Sequence, residues 1–160
     1  MAVITKRSGE IEYLVAEGIS VPHCFTTRFG GVSEGHLASL NLGIHRGDKP
    51  ENVRRNYEIL GEALGFDVNN LVFTRQTHTN IVRVVGAENM GEGLDRDVVP
   101  ECDALVTDHP GTALMVFTAD CTPLLFHDPV TGAVGAAHAG WRGTARNIGG
   151  KTVEAMIRHF

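Results

Sequence analysis

Three short segments carry the residue types that chemistry needs. They are Gln76-Thr77-His78-Thr79-Asn80, Thr118-Ala119-Asp120-Cys121-Thr122-Pro123 and Ala136-Ala137-His138-Ala139-Gly140-Trp141-Arg142-Gly143-Thr144. Two imidazoles and one thiolate make three ligands, the protein complement of a catalytic zinc site with its fourth position open. A zinc ion so held lowers the pKa of bound water to about 7. Asp120, beside Cys121, offers a carboxylate as general base or as an anchor for a ligand. The spacing of His78, Cys121 and His138 matches no metal motif by itself, and the absence of a CxxC pair argues against a zinc ribbon. The same residues also suit metal-free chemistry, with Cys121 as nucleophile, His138 as its base and Asp120 or a glutamine as orienter. Plainer roles exist for each: a structural histidine, a small buried thiol, Arg142 in an ion pair, Trp141 as a core anchor.

The elements that must position these residues can be read from periodicity. Apolar runs over 11–16, 21–27, 71–74, 81–85, 104–107, 112–118, 123–127 and 133–137 predict short strands. Strand ends hold side chains rigidly enough to converge. Asp108-His109-Pro110-Gly111 and Asp128-Pro129-Val130-Thr131-Gly132 are turn sequences, which predicts antiparallel neighbours on either side of each. Residues 29–47 form a loop with Gly30, Gly31, Gly35, Gly43 and Gly47, suited to close backbone approach or to an irregular surface. It contains no GxxxxGK[ST] and is not a P-loop. Residues 48–64 predict a helix, with Asp48 as cap, Pro50 in the first turn, and Val53, Tyr57, Leu60 and Leu64 as its apolar stripe. Gly65 ends it. The polar, acidic stretch 86–100 predicts a mobile loop. Residues 144–160 predict a final helix with Ile148, Val153, Met156, Ile157 and Phe160 on one face, and Gly149 and Gly150 weakening its start.

Bulk properties bound the answer. A chain of 160 residues is one domain or part of one. A net charge of −5 argues against sequence-independent nucleic-acid binding, which needs a basic face. No apolar run approaches a bilayer span, and residues 1–14 lack the apolar core of a secretory signal. Three cysteines without such a signal point to free thiols and a cytoplasmic location. His36, His45, His109, His127 and His159 read as loop or surface residues. From the residues alone, the chain is a candidate cytosolic enzyme of mixed α and β structure.

The same segments, in this order, resemble the laccase-domain (YfiH-like) purine nucleoside phosphorylase family, formerly labelled multicopper polyphenol oxidases. Thr27-Arg28-Phe29-Gly30-Gly31-Val32-Ser33, then Ser39-Leu40-Asn41-Leu42-Gly43, His45 and Gly47-Asp48 are similar to its N-terminal signature. Gln76-Thr77-His78, Asp103-Ala104-Leu105-Val106-Thr107, Thr118-Ala119-Asp120-Cys121 and His138-Ala139-Gly140-Trp141-Arg142-Gly143 are similar to its core. The resemblance implies an α+β fold, layered α/β/α, with a mixed, largely antiparallel β-sheet covered by helices. It implies zinc on His78, Cys121 and His138, with copper as an alternative occupant. The implied activity is phosphorolysis of adenosine, inosine and methylthioadenosine to free base and ribose 1-phosphate, with some adenosine deamination. Purine nucleoside and phosphate are then the partners. Arg28, Asn41 and Arg142 fall in shared motifs and are expected near the pocket, Arg28 and Asn41 binding substrate and Arg142 acting in catalysis beside Cys121 and Asp120. Family members run on for roughly another hundred residues. The chain, 1–160, is therefore expected to be a single domain lacking the C-terminal third and to self-associate through the surface so exposed.

Other classes compete. Laccase chemistry needs about ten ligands, mostly histidine in His-x-His pairs, and this sequence has eight histidines and no such pair. The zinc deaminase signature of HxE with PCxxC is absent. A metal-free Cys121/His138 hydrolase and a non-catalytic nucleoside-binding module remain the two alternatives.

Overall fold

The computed structural model describes residues 2–96 and 100–160. The chain divides into two compact units, Met1–Val68 and Asn69–Phe160. Among the described residues they hold three sheets with mostly antiparallel pairings and few helices, an α+β fold.

In the N-terminal unit, β1 (Val3–Ser8) and β2 (Ile11–Ala16) pair antiparallel, and β3 (Phe25–Thr26) joins β2 on its other side. The predicted strand over 21–27 is thus only two residues long. Pro22 has no N–H to give a ladder, and the His23 ring replaces one: its Nε2 accepts from Ala16 N at 2.9 Å and its Nδ1 bonds Val21 O at 2.7 Å. Helix α1 (Pro50–Leu64) ends on left-handed Gly65, as predicted. Val53, Tyr57 and Leu60 are buried, and Leu60 packs with Ile11, Tyr13 and Leu40 in the core of this unit.

The helix start differs from the prediction, because Lys49 is the N-cap and Asp48 lies one residue outside. Asp48 instead clamps the Gly-rich loop. Its Oδ2 accepts from Ser33 Oγ at 2.6 Å and Asn41 Nδ2 at 3.0 Å, and its Oδ1 from Asn52 Nδ2 at 3.2 Å. Asn56, fully buried on α1, accepts from Val32 N and donates to Ser33 Oγ and Asn41 O, each at 2.8 Å. A Cβ on Gly31 would lie 2.5 Å from that Asn56 Oδ1, so only glycine lets the loop come this close.

In the C-terminal unit, β4 (Leu71–Phe73) pairs in parallel with β7 (Ala113–Met115). A four-stranded sheet runs in the order β5 (Val82–Val84), β6 (Ala104–Thr107), β9 (Val134–Ala139), β8 (Thr122–His127). β5 and β6 are parallel, while β6–β9 and β8–β9 are antiparallel. The turn 128–132 joins antiparallel neighbours, as predicted. The turn 108–111 does not: both edges of β6 are already taken by β5 and β9, and β7 leaves for β4.

The predicted last helix is two. α2 (Trp141–Ala145) and α3 (Ile148–His159) are separated at Asn147, which sits at φ 60° and caps α3 by accepting from Gly150 N. α3 packs against β5, β6 and β9. Its covered face is Ile148 and Thr152, whereas Val153 is 42 % and Ile157 78 % exposed. Ile148 meets Ala104 and Ala137, the small residues that let a helix lie flat on this sheet. The loop after β5 is tied down by a two-pronged Arg83–Glu92 ion pair at 2.6 and 3.1 Å, and Arg96 by its bonds to Glu88 O and Glu92 at 2.8 and 3.3 Å. The part of the predicted mobile loop over 97–99 lies outside the described residues. No helix is long and apolar enough to cross a membrane among the described residues.

Candidate metal centre

The register of the four-stranded sheet brings three chain-distant segments to one end. β8 and β9 pair with Thr122 opposite Ala139, which sets Cys121 across from Gly140 and beside His138. β6 and β9 pair with Ala104 opposite Ala137, which sets Asp103 against His138. β5 runs parallel to β6 with Val82 opposite Ala104, so the segment entering β5, which holds His78, reaches the same end.

The ligand atoms of His78, Cys121 and His138 all lie within 4.8 Å of one another. Cys121 Sγ is 4.0 Å from His78 Nε2, and the two imidazoles meet edge to face with centroids 4.8 Å apart. His138 is buried, and the other two are partly exposed. Among the described residues this is the only such cluster of histidine, cysteine and acidic groups. The fit to a metal can be tested on Gly140. A Cβ there would fall 2.8 Å from His78 Cδ2 and 3.1 Å from Cys121 Sγ, so the missing side chain keeps room beside the three donors. Two imidazoles and a thiolate suit a borderline ion such as zinc, and copper also accepts them.

A residue given no role from the sequence organises the centre. Asp103 is fully buried, and its carboxylate receives five hydrogen bonds. Oδ1 accepts from His138 Nδ1 at 2.8 Å and His78 N at 3.1 Å. Oδ2 accepts from Thr79 N and Thr79 Oγ1, each at 2.7 Å, and from Thr77 N at 3.2 Å. Burial alone would raise this carboxyl's pKa, but the His138, Thr79 and Thr77 hydrogen bonds outweigh it and hold the pKa below the usual range. An ionised Asp103 makes His138 Nδ1 a donor and leaves Nε2 with its lone pair free for an ion. It also holds His78 at φ 61°, a left-handed conformation costing on the order of 1 kcal/mol outside glycine.

Gln76 is a second brace. Its Oε1 accepts from Phe117 N and its Nε2 donates to Phe117 O, both at 2.7 Å, joining the His78 segment to the one leading to Cys121. The sequence signal for Asp103 is an acidic residue directly before β6, whose four residues are all buried: a charge there must be paired. For Gln76 no pattern in the sequence announces the pairing.

The other expected residues are placed as follows. Asp120 is exposed and lines, with Cys121, Gly140, Trp141 and Thr144, an open concavity of about 550 Å³. Arg142 is exposed, its guanidinium carbon 5.0 Å from the Trp141 ring centre. Trp141 is 73 % exposed and is no core anchor. Within the N-terminal unit, Arg28 Nε donates to Ala38 O at 2.8 Å, and Asn41 donates to Asp48 and accepts from Gly43 N at 3.0 Å.

Comparison with known proteins bears on this site. Residues 22–160 match the family model described as multi-copper polyphenol oxidoreductase laccase. A purine nucleoside phosphorylase of Deinococcus radiodurans is 48% identical over 144 residues, 90% of this chain and 53% of the relative. One of Bacteroides thetaiotaomicron is 39% identical over 163 residues, 100% of this chain and 60% of the relative. The crystal structure of YlmD from Geobacillus stearothermophilus superposes with TM-score 0.89 at 36% identity, over 99% of this chain and 61% of that one. That of the Bacillus licheniformis hypothetical protein YfiH gives 0.79 at 35%, over 92% and 52%. The chain spans about half the length of the curated relatives it matches.

Proposed function

The chain belongs to the multi-copper polyphenol oxidoreductase laccase family, and on that footing we propose that it acts as a zinc-dependent purine nucleoside phosphorylase. The observation that carries this reading is the convergence of His78, Cys121 and His138 at one sheet end, beside an open concavity. These three residues would hold the ion, which when bound supplies Lewis-acid polarisation of an oxygen on the substrate.

The substrates proposed are adenosine, inosine and methylthioadenosine, each with phosphate. A phosphate oxygen bonds the anomeric carbon while the bond from that carbon to the purine nitrogen breaks. The bond's electron pair leaves with the base, and the phosphate's proton ends on it. Asp120, open to solvent beside Cys121, is the proposed relay for that proton. Arg142 supplies positive charge for the incoming phosphate. Arg28 and Asn41 are proposed to bind substrate on the strength of their motifs alone. Adenosine deamination is a proposed side activity. The free thiols Cys24, Cys102 and Cys121 suit the reducing cytoplasm.

The test is metal analysis of the purified chain, followed by product chromatography with adenosine, with and without phosphate. Near-equimolar zinc, and adenine with ribose 1-phosphate only when phosphate is present, are expected. Inosine as the main product would replace phosphorolysis with deamination. A metal-free protein alkylated rapidly at Cys121 would replace both with the cysteine hydrolase. Arg142→Ala is expected to lower kcat/KM at least about tenfold. Light scattering across a concentration series reads the proposed self-association.

A further inference from the structure

Trp141 is the chain's single tryptophan, and at 73 % exposure it keeps most of its indole in water. Its place is set by the metal centre. A Cβ on Gly140 would strike His78 and Cys121, and one on Gly143 would lie 2.8 Å from Thr79 O. These two glycines therefore sit flush against the segments that carry the ligands, and α2 has no freedom to turn its indole inward. Trp141 borders the same concavity as Cys121 and Asp120. Arg142 lies against the ring with its guanidinium carbon 5.0 Å from the centre, so the cation is held beside the aromatic surface.

We propose that Trp141 is the platform on which the purine base of a nucleoside stacks, with Arg142 presenting its remaining N–H groups to the phosphate or ribose oxygens. This rests on the phosphorylase reading above. A bicyclic indole offers its largest stacking area to a bicyclic base, so purines bind in preference to pyrimidines. With the base on Trp141, the ribose extends into the concavity that Cys121 also lines.

A single tryptophan makes the test direct. Indole fluorescence, excited at the red edge where nucleosides absorb little, is followed during titration with adenosine, inosine, uridine and ribose 1-phosphate, with calorimetry in parallel. Saturable quenching by adenosine and inosine but not by uridine or ribose 1-phosphate is expected. Trp141→Ala should weaken calorimetric adenosine binding at least about tenfold, while Trp141→Phe keeps most of it. Both should retain the zinc content and melting temperature of the parent, since the indole is not part of the core. Adenosine binding with an unperturbed indole, or undiminished in Trp141→Ala, overturns the platform and leaves the phosphorylase reading standing. No heat with any purine nucleoside overturns both. An emission that shifts to the blue with protein concentration alone would show the indole packing against a second copy, and would overturn the platform as well.

Discussion

A buried carboxylate with five donors has no neutral substitute. An asparagine at 103 has one acceptor oxygen, so either orientation turns an NH₂ toward N–H groups that had a partner: toward His138 and His78, or toward Thr77 and Thr79. In the first case His138 is driven to the tautomer that closes Nε2 to an ion. In the second the His78 segment loses its hold. Asp103→Asn is therefore expected to weaken zinc binding roughly 10–100-fold by chelator competition. Metal-free melting curves separate this from loss of fold, and unchanged affinity would reduce Asp103 to a structural role. Gly140→Ala is expected to act in the same direction by crowding His78 and Cys121. At this scale the sequence was legible in part. The three residues that cluster stood out through their motifs, not through spacing. Asp103 stood inside a quoted motif without a role, because what defines it is the set of donors that folding brings to it.

At the scale of elements, α3 separates two kinds of isoleucine. Ile148 is 1 % exposed against Ala104 and Ala137, on the strand that Asp103 precedes and the strand that carries His138. Ile148→Ala is expected to cost about 2–5 kcal/mol. Ile157, mostly in water, should cost within about 0.5 kcal/mol on the same change. Chemical denaturation of the pair checks it, and equal losses would mean that the covered face of α3 has been misassigned. The sequence pattern placed both on one stripe, yet nine residues at about 100° each set them on opposite sides of the same helix. Helix α1 was read nearly to its ends since its stripe and its glycine stop are local signals. β1 was not read, because five of its six residues are exposed and no alternation marks it. The parallel β4–β7 pairing joins segments too distant for any turn to announce.

Over the whole molecule, acid acts through several carboxylates held below their usual range, Asp103 and Glu92 among them, and Asp48 shows the sign most plainly. The Ser33 hydrogen bond, helped by those of Asn41, Asn52 and Lys49 N, lowers its pKa to about 2. The unfolded value is about 3.9, so the folded state binds the proton less readily. The stability this provides is fully present above about pH 4 and is lost as pH falls through about 2. Asp48→Asn should melt lower than the parent at neutral pH, with the gap closing toward pH 2. A gap that stays constant across that range would remove Asp48 from the acid response. The division into two units was not visible in composition, since no linker rich in proline, glycine or serine separates them and charge is spread evenly.

The distance along the chain between the proposed metal ligands has a thermodynamic consequence. His78 and Cys121 are 43 residues apart, and closing such a loop in a disordered chain costs roughly 3 kcal/mol before any bond to an ion is made. An unfolded polypeptide is therefore a poor chelator, and zinc bound at the proposed site would select the native state. Mass action then turns free-ion concentration into thermal resistance, about 4 kcal/mol at a thousand times the dissociation constant. The melting temperature should climb steadily with the logarithm of free zinc and fall back when a chelator is added, which makes the protein's heat tolerance a measure of how much of the ion its surroundings supply.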